Sequence, residues 1–149
     1  MAHHIPAKDL PILDITAQYA LAAAYDAILD AGFQIDVVNA RKGLQGIQGV
    51  DPERFGVVIG TAIGGVASMV DSLVTWHDSR RKAACKRYSL PMVIPNAPAA
   101  QVAMRFQARA ECKGVVTACA AGTMAIGDAY RLLRDDEADL VVCGGVEGM

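Results

Sequence analysis

The sequence predicts an α/β layer with a parallel or mixed sheet and helices on both faces. Three observations carry that prediction. Phe55-Gly56-Val57-Val58-Ile59 and Leu140-Val141-Val142-Cys143 are short, wholly apolar runs closed by glycine, the pattern of strands buried on both faces. Helical periodicity alternates with them over residues 16–31, 66–78 and 120–134. A further strand, Val115-Val116-Thr117, leads into the last of these helices. Alternating strands and helices place the helices against a sheet.

Taken in order, residues 1–13 read as an irregular lead-in with Pro6 and Pro11. The helix over 16–31 turns Leu21, Ala24, Tyr25 and Ile28 inward and Gln18, Asp26 and Asp30 outward, and Gly32 suits its C-terminal cap. Residues 35–54 read as a polar loop closing in Asp51-Pro52-Glu53-Arg54. The strand at 55–59 opens into a glycine turn, Gly60 to Gly65. That turn lacks the Lys-Ser/Thr of a phosphate loop and the GxGxxG spacing of a dinucleotide site, so tight backbone packing is its reading. After the helix at 66–78, the segment from Ser79 to Tyr88 carries Arg80, Arg81, Lys82, Lys86 and Arg87. It is a solvated loop or a docking patch for an acidic partner. Pro91, Pro95 and Pro98 punctuate a loop, and Pro98 fits the first turn of a helix over 98–106. In the helix over 120–134 the apolar stripe is Ala125, Ile126, Ala129, Tyr130, Leu132 and Leu133, with Asp128, Arg131 and Arg134 facing water. Asp135, Asp136, Glu137 and Asp139 form a solvated helix end without a metal-ligand arrangement.

Composition narrows the class. The chain has 149 residues, of which 53% are hydrophobic and 20% charged, with a net charge of −2. That is the size of one domain, too apolar for a disordered chain and without the basic footprint of a nucleic-acid binder. The uncharged stretch from Phe55 to Val70 is broken by four glycines and falls short of the ~20 apolar residues that span a bilayer. The N-terminus has no signal-peptide core, so a cytoplasmic location is expected. Four cysteines, Cys85, Cys112, Cys119 and Cys143, form no CxxC pair. Their default role is that of a small buried hydrophobe.

Cys119 is the exception. A strand ends, the cysteine follows, a helix begins, and Ala118, Ala120, Ala121 and Gly122 surround it. This is the logic of a nucleophile elbow, where small neighbours tolerate a sharp turn that presents the side chain. The free N–H groups of the helix start favour thiolate over thiol, and the same groups suit a developing oxyanion. The competing reading is a packed cysteine in a tight turn. A cysteine nucleophile usually works with a histidine, and His77, in Trp76-His77-Asp78, reads as a surface residue; His3 and His4 lie in the lead-in.

At these residues the sequence resembles the elongating β-ketoacyl-[acyl-carrier-protein] synthases, condensing enzymes of the thiolase-like fold. The most specific stretch is Thr117-Ala118-Cys119-Ala120-Ala121-Gly122-Thr123 with Ala125-Ile126-Gly127-Asp128-Ala129. In the family's order, Gln18 to Ala24, Asp51 to Gly65, Ile94-Pro95-Asn96 with Arg105-Phe106, and Gly144-Gly145-Val146-Glu147 accompany it. The resemblance implies a partial thiolase-like fold, the N-terminal half of the family, over residues 1–149 and truncated at both ends. It implies that Cys119 is the nucleophile, with its backbone N–H as an oxyanion donor. It further implies an acyl carrier protein as partner, acyl and malonyl thioesters as substrates, a homodimer, and no metal or cofactor. The family's decarboxylating histidines belong to its C-terminal half, so this chain alone is expected to be inactive in condensation. Two departures stand out. The Phe-Gly-x-x-Gly-Pro pattern before the nucleophile's strand reads Phe106-Gln107-Ala108-Arg109-Ala110-Glu111, and the arginine of the Met-Asp-Arg pattern is missing at Leu13-Asp14-Ile15. These leave a second class open, a non-catalytic copy that acts only by packing against a partner.

Overall fold

A computed structural model describes residues 5–79 and 88–148. The basic segment at 80–87, Cys85, His3 and His4 lie outside the described residues. The chain runs α1 (Ile15–Asp30), β1 (Ile35–Asn39), β2 (Leu44–Ile47), β3 (Phe55–Gly60), α2 (Val66–Asp78), α3 (Ser89–Val93), α4 (Ala97–Phe106), β4 (Cys112–Val115), α5 (Ala121–Arg134) and β5 (Leu140–Gly145).

The run at 55–59 is the centre of a three-stranded sheet ordered β4-β3-β5. Both of its pairings are parallel, with Val57 opposite Cys112 on one side and Val142 on the other. Every residue of β3 is buried, as an apolar run without alternation requires. Its pleat divides the core. Phe55, Val57 and Ile59 join a cluster with Ala17, Ala20, Leu21, Ala24 and Ile28 of α1 and Val102 and Phe106 of α4. Val58 joins Val115, Ala125, Ala129 and Leu132, under α5. Helices therefore cover both faces, as expected.

Asp14 caps α1 by accepting from the Thr16 N–H at 2.8 Å, and Gly32 turns the chain away at a φ of +86° that side chains resist. The alanines of α1 let it approach α4 closely, and Tyr25 meets the Phe106 ring at 6.4 Å. The glycine turn packs tightly, as read. At Gly64, φ is +81° and a Cβ would stand 2.8 Å from Pro95 Cα; at Gly65 it would collide with the Met92 carbonyl.

Several local expectations are corrected. Residues 35–54 are not simply a loop, since β1 and β2 pair as an antiparallel hairpin with a register shift between Val37 and Asn39. Its strands are short, β1 largely exposed and β2 half-buried up to the buried Ile47, so no alternation marks them in the sequence. A short helix, α3, contains Pro91 in its first turn, where the missing N–H has no helical acceptor to serve. The strand before Cys119 runs Cys112–Val115, ending two residues earlier than Thr117. On α5 the buried stripe is Ala121, Ala125, Ala129 and Leu132, while Ile126, Tyr130 and Leu133 stand exposed on the adjoining flank. Cys112 and Cys143 are exposed rather than buried, because each lies on an edge strand of the described sheet. The helix predicted over 66–78 forms at those bounds, yet none of its residues is buried, and Met69, Val70, Leu73, Val74 and Trp76 are exposed on it.

One polar fastening holds the sheet's lower end. Arg54 donates to Asp139 at 3.0 and 2.6 Å and to Asp136 at 2.5 Å, tying the turn before β3 to the turn before β5. The Arg54 guanidinium, hydrogen-bonded to Asp139, holds that carboxyl below the usual carboxylate range. A carboxyl depressed by folding stabilises above its unfolded pKa and loses that contribution as pH falls through the folded value. Acidification from neutral through and below the ordinary carboxylate range should therefore destabilise the protein in part through this residue. Asp139→Asn should flatten the acid limb of stability measured by urea melts between pH 7 and pH 3. An unchanged limb would remove Asp139 from the account.

Candidate active site

Cys119 sits where all three strands of the sheet end. β4 stops at Val115, which is buried; Val116 and Thr117 leave the sheet, and a single 3₁₀ turn, Ala118–Ala120, delivers the chain into α5. Ala118 has a φ of +48°, a left-handed conformation that costs a non-glycine residue ~1–2 kcal/mol. The strained residue is thus the one immediately before Cys119, and Cys119 is exposed. The elbow expected from the small-residue pattern is present, with its strain at Ala118.

The start of α5 carries no side-chain cap. Ala120 N–H bonds the Thr117 carbonyl at 3.1 Å, and Ala121 N–H bonds Ala118 within the 3₁₀ turn. The amides of the next residues open the helix, and such amides carry the partial positive charge of a helix N-terminus. A developing oxyanion beside Cys119 would meet these donors.

Three glycines seat that helix start on the sheet. A Cβ on Gly60 would collide with the Ala121 carbonyl and lie 2.8 Å from the Gly122 nitrogen. A Cβ on Gly145 would lie 2.8 Å from Gly122 Cα. The end of β3 and the end of β5 thus touch the first turn of α5 directly, backbone against backbone.

A polar network lies at the same edge. Glu147 Oε2 accepts from the Ala62 N–H at 2.6 Å and from the Thr61 hydroxyl at 3.1 Å. Thr61 Oγ1 accepts from Gly64 N–H at 3.0 Å, and Thr61 N–H donates to the Val115 carbonyl at 2.9 Å. Beyond it, buried Asp14 accepts from Ser68 Oγ at 2.6 Å as well as capping α1. Glu147 Oε1 is buried with no hydrogen-bond partner. Such an orphan costs ~1–3 kcal/mol, more when charged. Sequence reading did not single out Thr61 or Glu147 as site residues. The signal available was an acid two residues after a glycine-stopped apolar strand.

The other candidates stand apart. His77 Nδ1 lies 3.2 Å from Asp78 Oδ1, with its side chain exposed at the end of α2, as a surface histidine should be. Although both residues are exposed, partial desolvation pushes the thiols of Cys112 and Cys143 up, Glu111 adding to the shift at Cys112. An apolar groove of about 250 Å³ between α1 and β5, bounded by Tyr19, Ala23, Val142 and Val146, does not include Cys119. Among the described residues no helix is long and apolar enough to cross a membrane.

Comparison with known proteins places this geometry. The profile of the family described as "Beta-ketoacyl synthase, N-terminal domain" matches residues 2–149. The 3-oxoacyl-[acyl-carrier-protein] synthase 2 of Synechocystis is 34% identical over 140 residues, covering 94% of this chain and 30% of that protein. The Staphylococcus aureus protein of the same name is 32% identical over 147 residues, covering 97% of this chain and 32% of its own length. The chain thus spans about a third of the length of these relatives. Among solved structures, a type II polyketide ketosynthase in complex with its acyl-carrier protein aligns with a TM-score of 0.82 at 23% identity, over 99% of this chain and 38% of its own. A β-ketoacyl synthase from Burkholderia phymatum aligns with a TM-score of 0.75 at 24% identity, over 97% of this chain and 32% of its own. This chain matches part of the thiolase-like ketosynthase fold of these structures, as the family resemblance implied.

Proposed function

The chain belongs to the β-ketoacyl synthase family, and from that membership we propose that Cys119 accepts an acyl group from the thioester of an acyl carrier protein. The observation that carries the proposal is the exposed thiol at a strained turn, ahead of an uncapped helix start. The Cys119 sulfur attacks the thioester carbonyl carbon. The oxygen gains negative charge and is met by the Cys119 N–H and the amides opening α5. Collapse breaks the bond to the carrier's sulfur, which leaves with the proton given up by the Cys119 thiol. In the whole synthase reaction the acyl-enzyme then condenses with malonyl-carrier protein, losing carbon dioxide and forming a β-ketoacyl thioester. The decarboxylation step calls on histidines that the family carries outside the part matched here.

A thiol-directed acyl analogue tests the first step. Incubated with the chain near neutral pH and followed by peptide mapping, it should label Cys119 well ahead of Cys112 and Cys143, whose thiols partial desolvation makes harder to ionise. Equal labelling of the three would sink the nucleophile reading.

A second reading, a chain that acts by packing against a partner, is favoured by the exposed apolar side chains of α2 and α5. Met69, Val70, Leu73 and Val74 on one helix and Ile126, Tyr130 and Leu133 on the other face outward. The two readings are compatible in a two-fold dimer whose interface runs near β4, the edge strand that leads to Cys119. A cooperative unfolding transition independent of protein concentration would count against that dependence on a partner.

A further inference from the structure

We propose that Glu147 is a positioning residue for the Cys119 turn, acting through Thr61 and the ends of the three strands; this rests on Cys119 being the nucleophile. Glu147 follows β5, yet its carboxylate is spent on β3's continuation, taking the Ala62 N–H at 2.6 Å and the Thr61 hydroxyl at 3.1 Å. Thr61 is 2% exposed and passes the constraint on in two directions. Its hydroxyl fixes Gly64, and its N–H holds the carbonyl of Val115, the last residue of β4. From Val115 the chain has only Val116 and Thr117 before the left-handed Ala118. Val146 N–H donates to the Gly60 carbonyl at 2.9 Å, so β5 and β3 are also locked together directly beneath the first turn of α5, which rests on Gly60 and Gly145.

A strained backbone conformation persists only where its surroundings over-determine it. Here the strands on either side of the elbow's seat are joined at their ends by one carboxylate. The carboxylate satisfies the Ala62 N–H and the Thr61 hydroxyl through one oxygen while its Oε1 stays buried and unpartnered, so the joint is held in place at a cost in desolvation. Loosening the joint should let the turn relax toward ordinary backbone and shift Cys119 relative to the first turn of α5. The consequence is specific to Cys119, whereas a role confined to fastening β5 would affect all sites alike.

The experiment is iodoacetamide alkylation of the full chain from pH 6 to pH 9, with rates at Cys119, Cys112 and Cys143 read separately by peptide mapping. Cys112 and Cys143 serve as references within the same molecule. Glu147→Ala should lower the ratio of Cys119 to Cys112 labelling at pH 7 by about two- to fivefold, the reach of a helix-terminus effect. Glu147→Gln keeps an oxygen acceptor for Ala62 and Thr61 and should restore most of the ratio. Thr61→Val, which keeps the shape and removes the hydroxyl, should lower the ratio in the same direction. An unchanged ratio in Glu147→Ala overturns the proposal, as does an equal fall in Glu147→Ala and Glu147→Gln. Should Glu147→Ala fail to fold, an unchanged ratio in Thr61→Val overturns it. Failure of the nucleophile reading is visible separately, in the native chain, as equal labelling at all three cysteines.

Discussion

Gly60→Ala should cost about 3 kcal/mol of stability, the upper part of the range for forcing an extra methyl group into a packed interior. Domains of this size have only ~5–15 kcal/mol to lose. The methyl group would not meet a flexible side chain that can swing aside. It would meet the backbone of α5, at the Ala121 carbonyl and at the Gly122 nitrogen, 2.8 Å away. β3 cannot retreat either, since it is buried on both faces and hydrogen-bonded to β4 and β5. The helix must therefore lift, and its first turn carries the Cys119 elbow. Two readouts should move together: the midpoint of a urea melt falls, and preferential labelling of Cys119 over Cys112 disappears. Gly127→Ala is the control, because nothing lies within 4 Å of a Cβ there and the residue is mid-helix. By helix propensity it should be neutral or stabilising by up to ~1 kcal/mol. A Gly60→Ala protein as stable as the native one would mean that α5 is not seated as described.

That glycine also marks what a sequence discloses and what it withholds. The apolar run before Gly60 and the small residues around Cys119 can be read directly, because burial on both faces and a sharp turn each restrict residue type. Helix α2 was legible to its bounds, and α1, with its apolar periodicity and the Gly32 cap, to within one residue. The hairpin at β1 and β2 was not, since β1 is largely exposed and β2 only half-buried, and neither imposes a clear alternation on its residues. On α5 the apolar positions were legible but their division was not. Ala125 and Leu132 are buried and Ile126 and Tyr130 are exposed, a distinction set by where Val58 and Val115 lie beneath the helix. Cys112 and Cys143 came out exposed because strand order, which hydropathy does not encode, puts them on edges. The site shows the same limit. Cys119 was identified from its neighbours in the chain, whereas Thr61 and Glu147 meet it only through hydrogen bonds spanning 54 or more positions in sequence.

Mixed with an acyl thioester and malonyl-carrier protein, this chain should form an acyl-enzyme and no β-ketoacyl product, and Cys119→Ala should abolish the acyl-enzyme altogether. The two steps ask for different groups. Acyl transfer needs a nucleophilic sulfur and donors for one oxyanion, and on the proposed reading the exposed Cys119 thiol and the uncapped start of α5 would supply them. Decarboxylation of a malonyl thioester instead builds an enolate, whose oxygen must be met by positioned donors at a second point, beyond the attacked carbonyl. Among the described residues the histidine is His77, exposed at the end of α2 and engaged with Asp78. Acid–base groups contribute typically 10²–10⁴-fold to such a step, so without them condensation is expected to fall below detection. Mass spectrometry of the intact chain should therefore show a single acyl adduct that decays to free thiol. The adduct should be lost in Cys119→Ala and retained in Cys112→Ala and Cys143→Ala. Detection of a β-ketoacyl product from the pure chain would show that its own residues supply the enolate donors. An adduct that survives Cys119→Ala would move the nucleophile elsewhere.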